Sequence, residues 1–453
     1  MRKLRAQHQL IASFAILIVI GSIALMLPGM TTAGRISFVD ALFTSTSAVC
    51  VTGLVVKDTG TDFTRPGQWI ILALIQLGGI GIMTFSTILL LILGKQPSFS
   101  QDTLLESAFA HSPTRNLHHL VFSVVVFTLA VELVGSGCYF LAWKQEFPCG
   151  EAMFISLFHS VSAFCNAGFC VFSDSFMRYA GNVIINLNTI FLIVVGGIGF
   201  LVLLEVFQRG WRSLERGKKA RKALSLHTRL TLIATVILIV SGAAAFFLIE
   251  YGDILRGMSL SRKVLIAFFQ SVTARTAGFN TIDFGKLSNA MLFLFVILMF
   301  IGAAPGSCGG GIKVTTAAVF MALVRSRLKG EANTRTMNRS IPSESVSRAV
   351  AVVISSVLVI GFVLALLLIT QLGDTSHVES RGMFLEYLFE VVSAFGTVGL
   401  SMGVTPNLDV TGKWLVILLM FVGRLGPLTL AFSIHPRRAG GKFEYSEENV
   451  MIG

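Results

Sequence analysis

Four times along this chain the same short phrase recurs: an aromatic residue, then a Ser or Thr usually followed by Ala, then a Gly and a bulky apolar residue. The copies read FTSTSAVCVTGL (Phe43 to Leu54), FHSVSAFCNAGF (Phe158 to Phe169), FQSVTARTAGF (Phe269 to Phe279) and FEVVSAFGTVGL (Phe389 to Leu400). A fourfold repeat in one apolar chain predicts four pieces of backbone converging on an axis. Converging main-chain carbonyls are one way a protein replaces the hydration shell of an alkali cation.

Composition says where such an axis would stand. Of 453 residues, 54% are hydrophobic and 13% charged, against about 25% charged in soluble domains. Runs long enough for a bilayer, roughly twenty apolar residues each, lie near 10–28, 68–93, 119–142, 183–207, 229–249, 289–324, 347–372 and 413–434. They fall into pairs, with one phrase inside each pair. The basic start has no convincing cleavage site around Leu27-Pro28-Gly29-Met30, so it reads as a retained first span. The expected fold is an all-α polytopic membrane protein. Four pseudo-repeats of span, pore half-helix, Gly-bearing loop and span place eight transmembrane helices around one central pore. The repeat boundaries are 1–100, 101–218, 219–335 with an intramembrane loop at 302–313, and 336–453 with the tail.

The short segments 38–49, 151–164, 260–274 and 382–395 are too brief to cross. They begin near Ser37, Glu151, Ser261 and Arg381 and stop at the turn. Irregular backbone at membrane depth survives only where it lines a wet cavity. A helix lying in the headgroup layer competes for any one copy, but four copies at the same place favour re-entry. Excess Lys and Arg marks the cytoplasmic side. It falls at the start (Arg2, Lys3, Arg5), between Gln208 and Arg229, from Arg325 to Arg348, and in the tail (Arg437, Arg438, Lys442). Both termini are therefore expected inside, with the phrases opening outward. The net charge of +12 then records topology rather than nucleic-acid binding. Cys50, Cys138, Cys149, Cys165, Cys170 and Cys308 show no CxxC spacing and no His cluster, and read as free thiols.

The candidate ion-coordinating residues are Cys50, Val51, Thr52 and Gly53; Cys165, Asn166, Ala167 and Gly168; Arg275, Thr276, Ala277 and Gly278; and Gly396, Thr397, Val398 and Gly399. Their side chains differ widely, which coordination by backbone carbonyls tolerates. No Asp or Glu occupies these turns, whereas a divalent-cation filter would carry a ring of acids. A large monovalent cation fits best. The glycines supply the left-handed backbone such turns need. The stretch from Thr273 to Gly278 is one residue shorter than Ser47 to Gly53, so fourfold symmetry is expected to break there.

A Gly-rich step echoes in the second span of each pair: LGGIG (Leu77 to Gly81), VGGIG (Val195 to Gly199), IGAAPG (Ile301 to Gly306) and VGRLG (Val422 to Gly426). The first two read as helix packing through small residues. The third continues through Gly302, Pro305, Gly306, Ser307, Gly309, Gly310 and Gly311 to Lys313. Each helical Gly costs about 1 kcal/mol and Pro about 3, so a loop is expected there, below the turns. It is not a phosphate loop, because Ile312 separates Gly311 from Lys313 and no strand precedes it. Arg424 stands where the first copy has Gly79. It is either a packing Arg bound to backbone or a positive charge in the pore. Glu132 is either a buried acid paired with Lys or Arg, or part of transport.

VTGLVV, CNAGF, RTAGFNT and GTVGL, with their flanking spans, resemble the Trk/Ktr/HKT superfamily of potassium transporters. In length the chain is similar to the Ktr-type, KtrB-like membrane subunit. The resemblance implies potassium uptake across the cell membrane, with one Gly-bearing loop from each pseudo-repeat forming the filter. Gly53 implies K+ preference, since members with Ser there tend to favour Na+. The resemblance further implies a gate at the Gly302–Gly311 loop with Arg424, sodium as a coupling or activating ion, and a homodimer whose interface receives the tail EYSEENVMIG. It also implies a cytosolic RCK-type, KtrA-like ring that binds nucleotide. No cofactor is expected in this chain, because GGIGIM and GGIGFL sit mid-span rather than after a strand. Nor is an enzyme: HExxH, GxSxG and an intramembrane Asp pair are absent. The alternative is a secondary transporter of another monovalent cation or small solute with a midplane site.

Overall fold

The computed structural model describes residues 2–93, 113–216, 224–373 and 376–427. Over these the chain is mostly helical. The first expected repeat holds α1 (Arg2–Leu25), α2 (Phe38–Val49) and α3 (Arg65–Leu93). The second holds α4 (Pro113–Trp143), α5 (Cys149–Phe164), α6 (Val183–Ile198) and α7 (Phe200–Arg216). The third holds α8 (Leu226–Ile249), α9 (Leu260–Thr273), α10 (Asn289–Phe300) and α11 (Val314–Leu328), and the fourth α12 (Ser343–Leu372), α13 (His377–Gly396) and α14 (Val410–Leu425). Helix starts are chemically marked. Ser37, Asn182, Ser225, Ser288 and Asp409 each accept a hydrogen bond from the first turn that follows, satisfying donors a helix leaves open.

The short helices set the topology. Each packs on the first helix of its own repeat and on the helix that follows the preceding repeat's turn: α2 on α1 and α14, α5 on α4 and α3, α9 on α8 and α6, α13 on α12 and α10. The pattern is cyclic and closes between the last repeat and the first. Phe43, Phe158, Phe269 and Phe389, the leading aromatics of the phrases, are all buried. An aromatic cluster around Trp143, with Tyr139 stacked at 4.9 Å and Phe172 edge-on at 5.7 Å, fills the space behind α5.

Among the described residues, Val121–Trp143, Leu226–Ile249 and Ser343–Leu372 are each long and apolar enough to cross a membrane. The fourth expected span, 183–207, is not one rod: α6 and α7 meet at 102°. Gly199 sits at the break with φ 92°, and the cause is tertiary, as described below. The only strands among the described residues form a hairpin, Arg335–Thr336 with Arg339–Ser340, in the basic link between the third and fourth repeats. Met337 and Asn338, both at positive φ, make the tight turn that suits the strand twist. Lys218, Lys219, Arg221, Lys222, Arg437, Arg438, Lys442 and the EYSEENVMIG tail lie outside the described residues.

One ion pair ties the last repeat to the first. Lys413 Nζ on α14 lies 2.7 Å from Asp40 Oδ1 on α2, with side chains 17% and 12% exposed. Removing one partner of a buried pair costs about 3–5 kcal/mol, because the other charge stays behind. Lys413→Met is expected to lower the unfolding temperature in detergent by several degrees. The Asp40→Asn/Lys413→Met double variant recovers most of that loss, and an additive double variant would refute the pairing.

Candidate functional site

Each short helix stops just before its phrase's glycine, so four carbonyl ends, the negative poles of the helix dipoles, face the turns. The turn geometry repeats. Val51, Asn166, Thr276 and Thr397, each two residues before the glycine, have φ of 55°, 60°, 66° and 49°. Gly53, Gly168, Gly278 and Gly399 follow at 88°, 70°, 80° and 88°. A left-handed β-branched residue costs of order 1–3 kcal/mol and persists only where its surroundings hold it. The phrase's own Ser or Thr does that holding. Ser47 and Ser393 Oγ each accept from the glycine N–H at 3.1 Å. Ser162 Oγ and Thr273 Oγ1 donate to the carbonyls of Phe169 and Phe279.

The third turn breaks the fourfold pattern where the shorter phrase predicts it, and the break is local. Where Thr52, Ala167 and Val398 donate their N–H five residues back to Ser47, Ser162 and Ser393, Ala277 donates four residues back to Thr273. The missing residue is taken out before the left-handed threonine, and Gly278 keeps its place.

That place is in a closed ring. A Cβ added to Gly53 would collide with the Ala167 carbonyl oxygen, and one on Gly168 would lie 2.9 Å from that of Ala277. On Gly278 it would lie 2.6 Å from Val398 O, and on Gly399 it would collide with Thr52 O. Each glycine therefore abuts the carbonyl before the next glycine, and the fourth abuts the first. All four glycines line one cavity of about 160 Å³ together with Asp58, Cys170, Ser175, Asn280 and Ser401. The Arg275 side chain turns away from the ring, its Nη2 3.4 Å from Thr235 Oγ1 on α8.

The Gly-rich steps pack differently from the expected span-on-span contact. A Cβ on Gly78, Gly196 or Gly423 would collide with the carbonyl oxygen of Val49, Phe164 or Phe395, in the last turn of a short helix. In the third repeat the helix is interrupted between Phe300 and Val314. Gly302, Pro305, Gly306, Ser307, Gly309, Gly310, Gly311 and Lys313 all lie in this segment, which runs against the turns of the third and fourth repeats. Gly310 N–H donates to Thr397 Oγ1 at 3.1 Å. A Cβ on Gly309 or Gly310 would strike the hydroxyl of Thr276 or Thr397, so only glycine fits there.

The same loop explains the bend at Gly199. Ala304 N–H and Cys308 N–H donate to Gly197 O and Gly196 O at 3.0 and 3.1 Å, while Phe200 N–H donates to Gly306 O at 3.0 Å. A straight helix would have paired Phe200 N–H with Gly196 O. Two interrupted helices thus complete each other's backbone. Beyond the bend, Glu205 on α7 pins the start of α8, accepting from Ser225 N–H at 2.6 Å, Ser225 Oγ at 2.8 Å and Thr228 Oγ1.

Two cations hold the loop. Arg424 is buried and donates to Cys308 O and to Gly78 O, the latter at 3.2 Å. Lys313 Nζ donates to Gly309 O at 2.6 Å. Arg424 therefore has the backbone partners of a packing Arg, and it also borders a cavity lined by Gly311, Lys313, Phe395 and Pro427. The partner of Glu132 is not the expected Lys or Arg but the Gln76 amide, at 2.9 Å. Sequence reasoning missed the roles of Ser47, Ser162, Thr273 and Ser393, although the phrase itself displayed them. No group of three or more metal-ligating side chains occurs among the described residues.

The chain is 38% identical to the Ktr system potassium uptake protein B of Bacillus subtilis over 442 residues, 97% of this chain and 95% of that one. It is 36% identical to the protein of the same name from Vibrio alginolyticus, covering 98% and 94%. It is 34% identical to the potassium/sodium uptake protein NtpJ of Enterococcus hirae, covering 100% and 98%. These relatives are transport proteins rather than enzymes. The crystal structure of the potassium transporter TrkH from Vibrio parahaemolyticus shares the fold, with a TM-score of 0.75 at 20% identity over 94% of this chain and 84% of that one. The TrkH family profile, described as cation transport protein, matches residues 3–439, and the chain belongs to that family.

Proposed function

We propose that this chain takes up potassium across the cell membrane through the glycine ring. Backbone carbonyls of Cys50 to Gly53, Cys165 to Gly168, Arg275 to Gly278 and Gly396 to Gly399 stand in for the ion's water. The observation that carries the reading is the closed contact of four glycines with four neighbouring carbonyls, in turns that hold no acid. Four helix C-termini directed at the ring add a favourable field for a cation. The Gly302–Gly311 loop, with Lys313 and Arg424, is the gate. Both termini face the cytoplasm, in keeping with the basic links. The working unit is a homodimer on which a cytosolic nucleotide-binding ring acts. Sodium assists uptake, a reading supported by the likeness to a potassium/sodium uptake protein.

Rubidium uptake into vesicles carrying the purified protein tests this. Potassium is expected to compete at least tenfold better than sodium, and calcium not at all. Equal competition by potassium and sodium, or block by calcium at the same concentration, would remove the carbonyl filter from consideration.

A further inference from the structure

One residue after the leading aromatic of each phrase stand Thr44, His159, Gln270 and Glu390, and all four are buried. Three of them reach from the short helix to the chain leaving the turn. His159 Nδ1 lies 2.8 Å from Ile155 O, which makes Nδ1 the protonated nitrogen and leaves Nε2 an acceptor. Nε2 lies 3.1 Å from Cys170 Sγ and accepts from Val171 N–H at 3.4 Å. Gln270 Nε2 donates to Thr281 Oγ1 at 3.0 Å. Glu390 accepts from Ser401 Oγ at 2.8 Å on one oxygen and from Thr405 Oγ1 on the other.

Their nearest partners sit just past the ring: Cys170 and Val171 after Gly168, Thr281 after Gly278, Ser401 after Gly399. Thr44 is too short to reach that far, and its hydroxyl has no partner. In the first repeat Gln68 of α3 instead holds a later stretch of the loop, donating to Thr59 O at 3.0 Å and Phe63 O at 3.2 Å. An imidazole, an amide and a carboxylate thus brace the segment just past the ring in the second, third and fourth repeats.

We infer that His159, Gln270 and Glu390 are positioning residues for ion selection, struts that fix the outer edge of the carbonyl ring, with Glu390 the most consequential. The inference rests on reading the ring as the filter. A ring of backbone oxygens keeps its preference for a larger cation while it resists closing around a smaller one. Bracing from behind supplies that resistance. Glu390 matters most because each of its two oxygens holds a different residue beyond the ring, Ser401 and Thr405.

The test is competition of potassium and sodium against rubidium uptake by the full chain in vesicles. Glu390→Leu is expected to lower potassium-over-sodium discrimination roughly tenfold, the scale of one such hydrogen bond. Glu390→Gln, which keeps an acceptor oxygen, restores most of it. A merely structural role would scale both ions together, and an unchanged ratio in Glu390→Leu overturns the inference. Gly53→Ser in the same assay separates the two readings. If it shifts the ratio while Glu390→Leu does not, the strut falls and the filter stands; if neither shifts it, both fall. Should Glu390→Leu fail to fold, Ser401→Ala and Gln270→Leu carry the test, and an unchanged ratio in both is equally decisive against it.

Discussion

Gly53→Ser is expected to cost most of the preference for potassium over sodium, tenfold or more in the rubidium competition assay. At φ 88° an L-residue is strained by roughly 1–2 kcal/mol. The steric consequence is larger. The new Cβ points at the Ala167 carbonyl oxygen and would lie 3.0 Å from Gly168 Cα, so the second turn must retreat. The first turn is also the neighbour that Gly399 abuts, through Thr52 O, and its movement disturbs the fourth turn as well. Three of the four quadrants lose their spacing from one substitution. An unchanged ion ratio with normal uptake would mean that these carbonyls do not select.

Arg424→Ala should raise uptake several-fold in the absence of any regulator. The guanidinium bridges Cys308 O in the interrupted segment and Gly78 O on α3. Alanine releases both and removes a positive charge from the cavity shared with Lys313. Arg424→Lys keeps the charge without the fork that engages two acceptors, so an intermediate flux is expected. Deleting Gly306 to Gly311 should act in the same direction. Loss of the Arg424→Ala protein from the membrane, with no rise in flux per molecule, would reduce this residue to a packing role.

The turns and the short helices were readable because their chemistry is local. A glycine at positive φ, a hydroxyl to hold it and an aromatic anchor recur at nearly fixed spacing. The interruption at Gly302–Gly311 was readable for the same reason. The bend at Gly199 was not. VGGIG and LGGIG look alike, yet LGGIG runs on as helix within α3 while VGGIG bends at Gly199, where Gly306 O captures the following N–H. His159, Gln270 and Glu390 escaped notice because an imidazole, an amide and a carboxylate share no pattern beyond position. Lys413 and Asp40 gave no signal either, standing at opposite ends of the sequence.

The mutual completion of the two interrupted helices has a thermodynamic consequence. If the Gly302–Gly311 segment leaves, Gly196 O, Gly197 O and Phe200 N–H lose their mates at a depth where lipid offers none. Only incoming solvent can replace them, so displacement of the segment and hydration of the crevice become a single event. Drying the crevice would then pull the segment home.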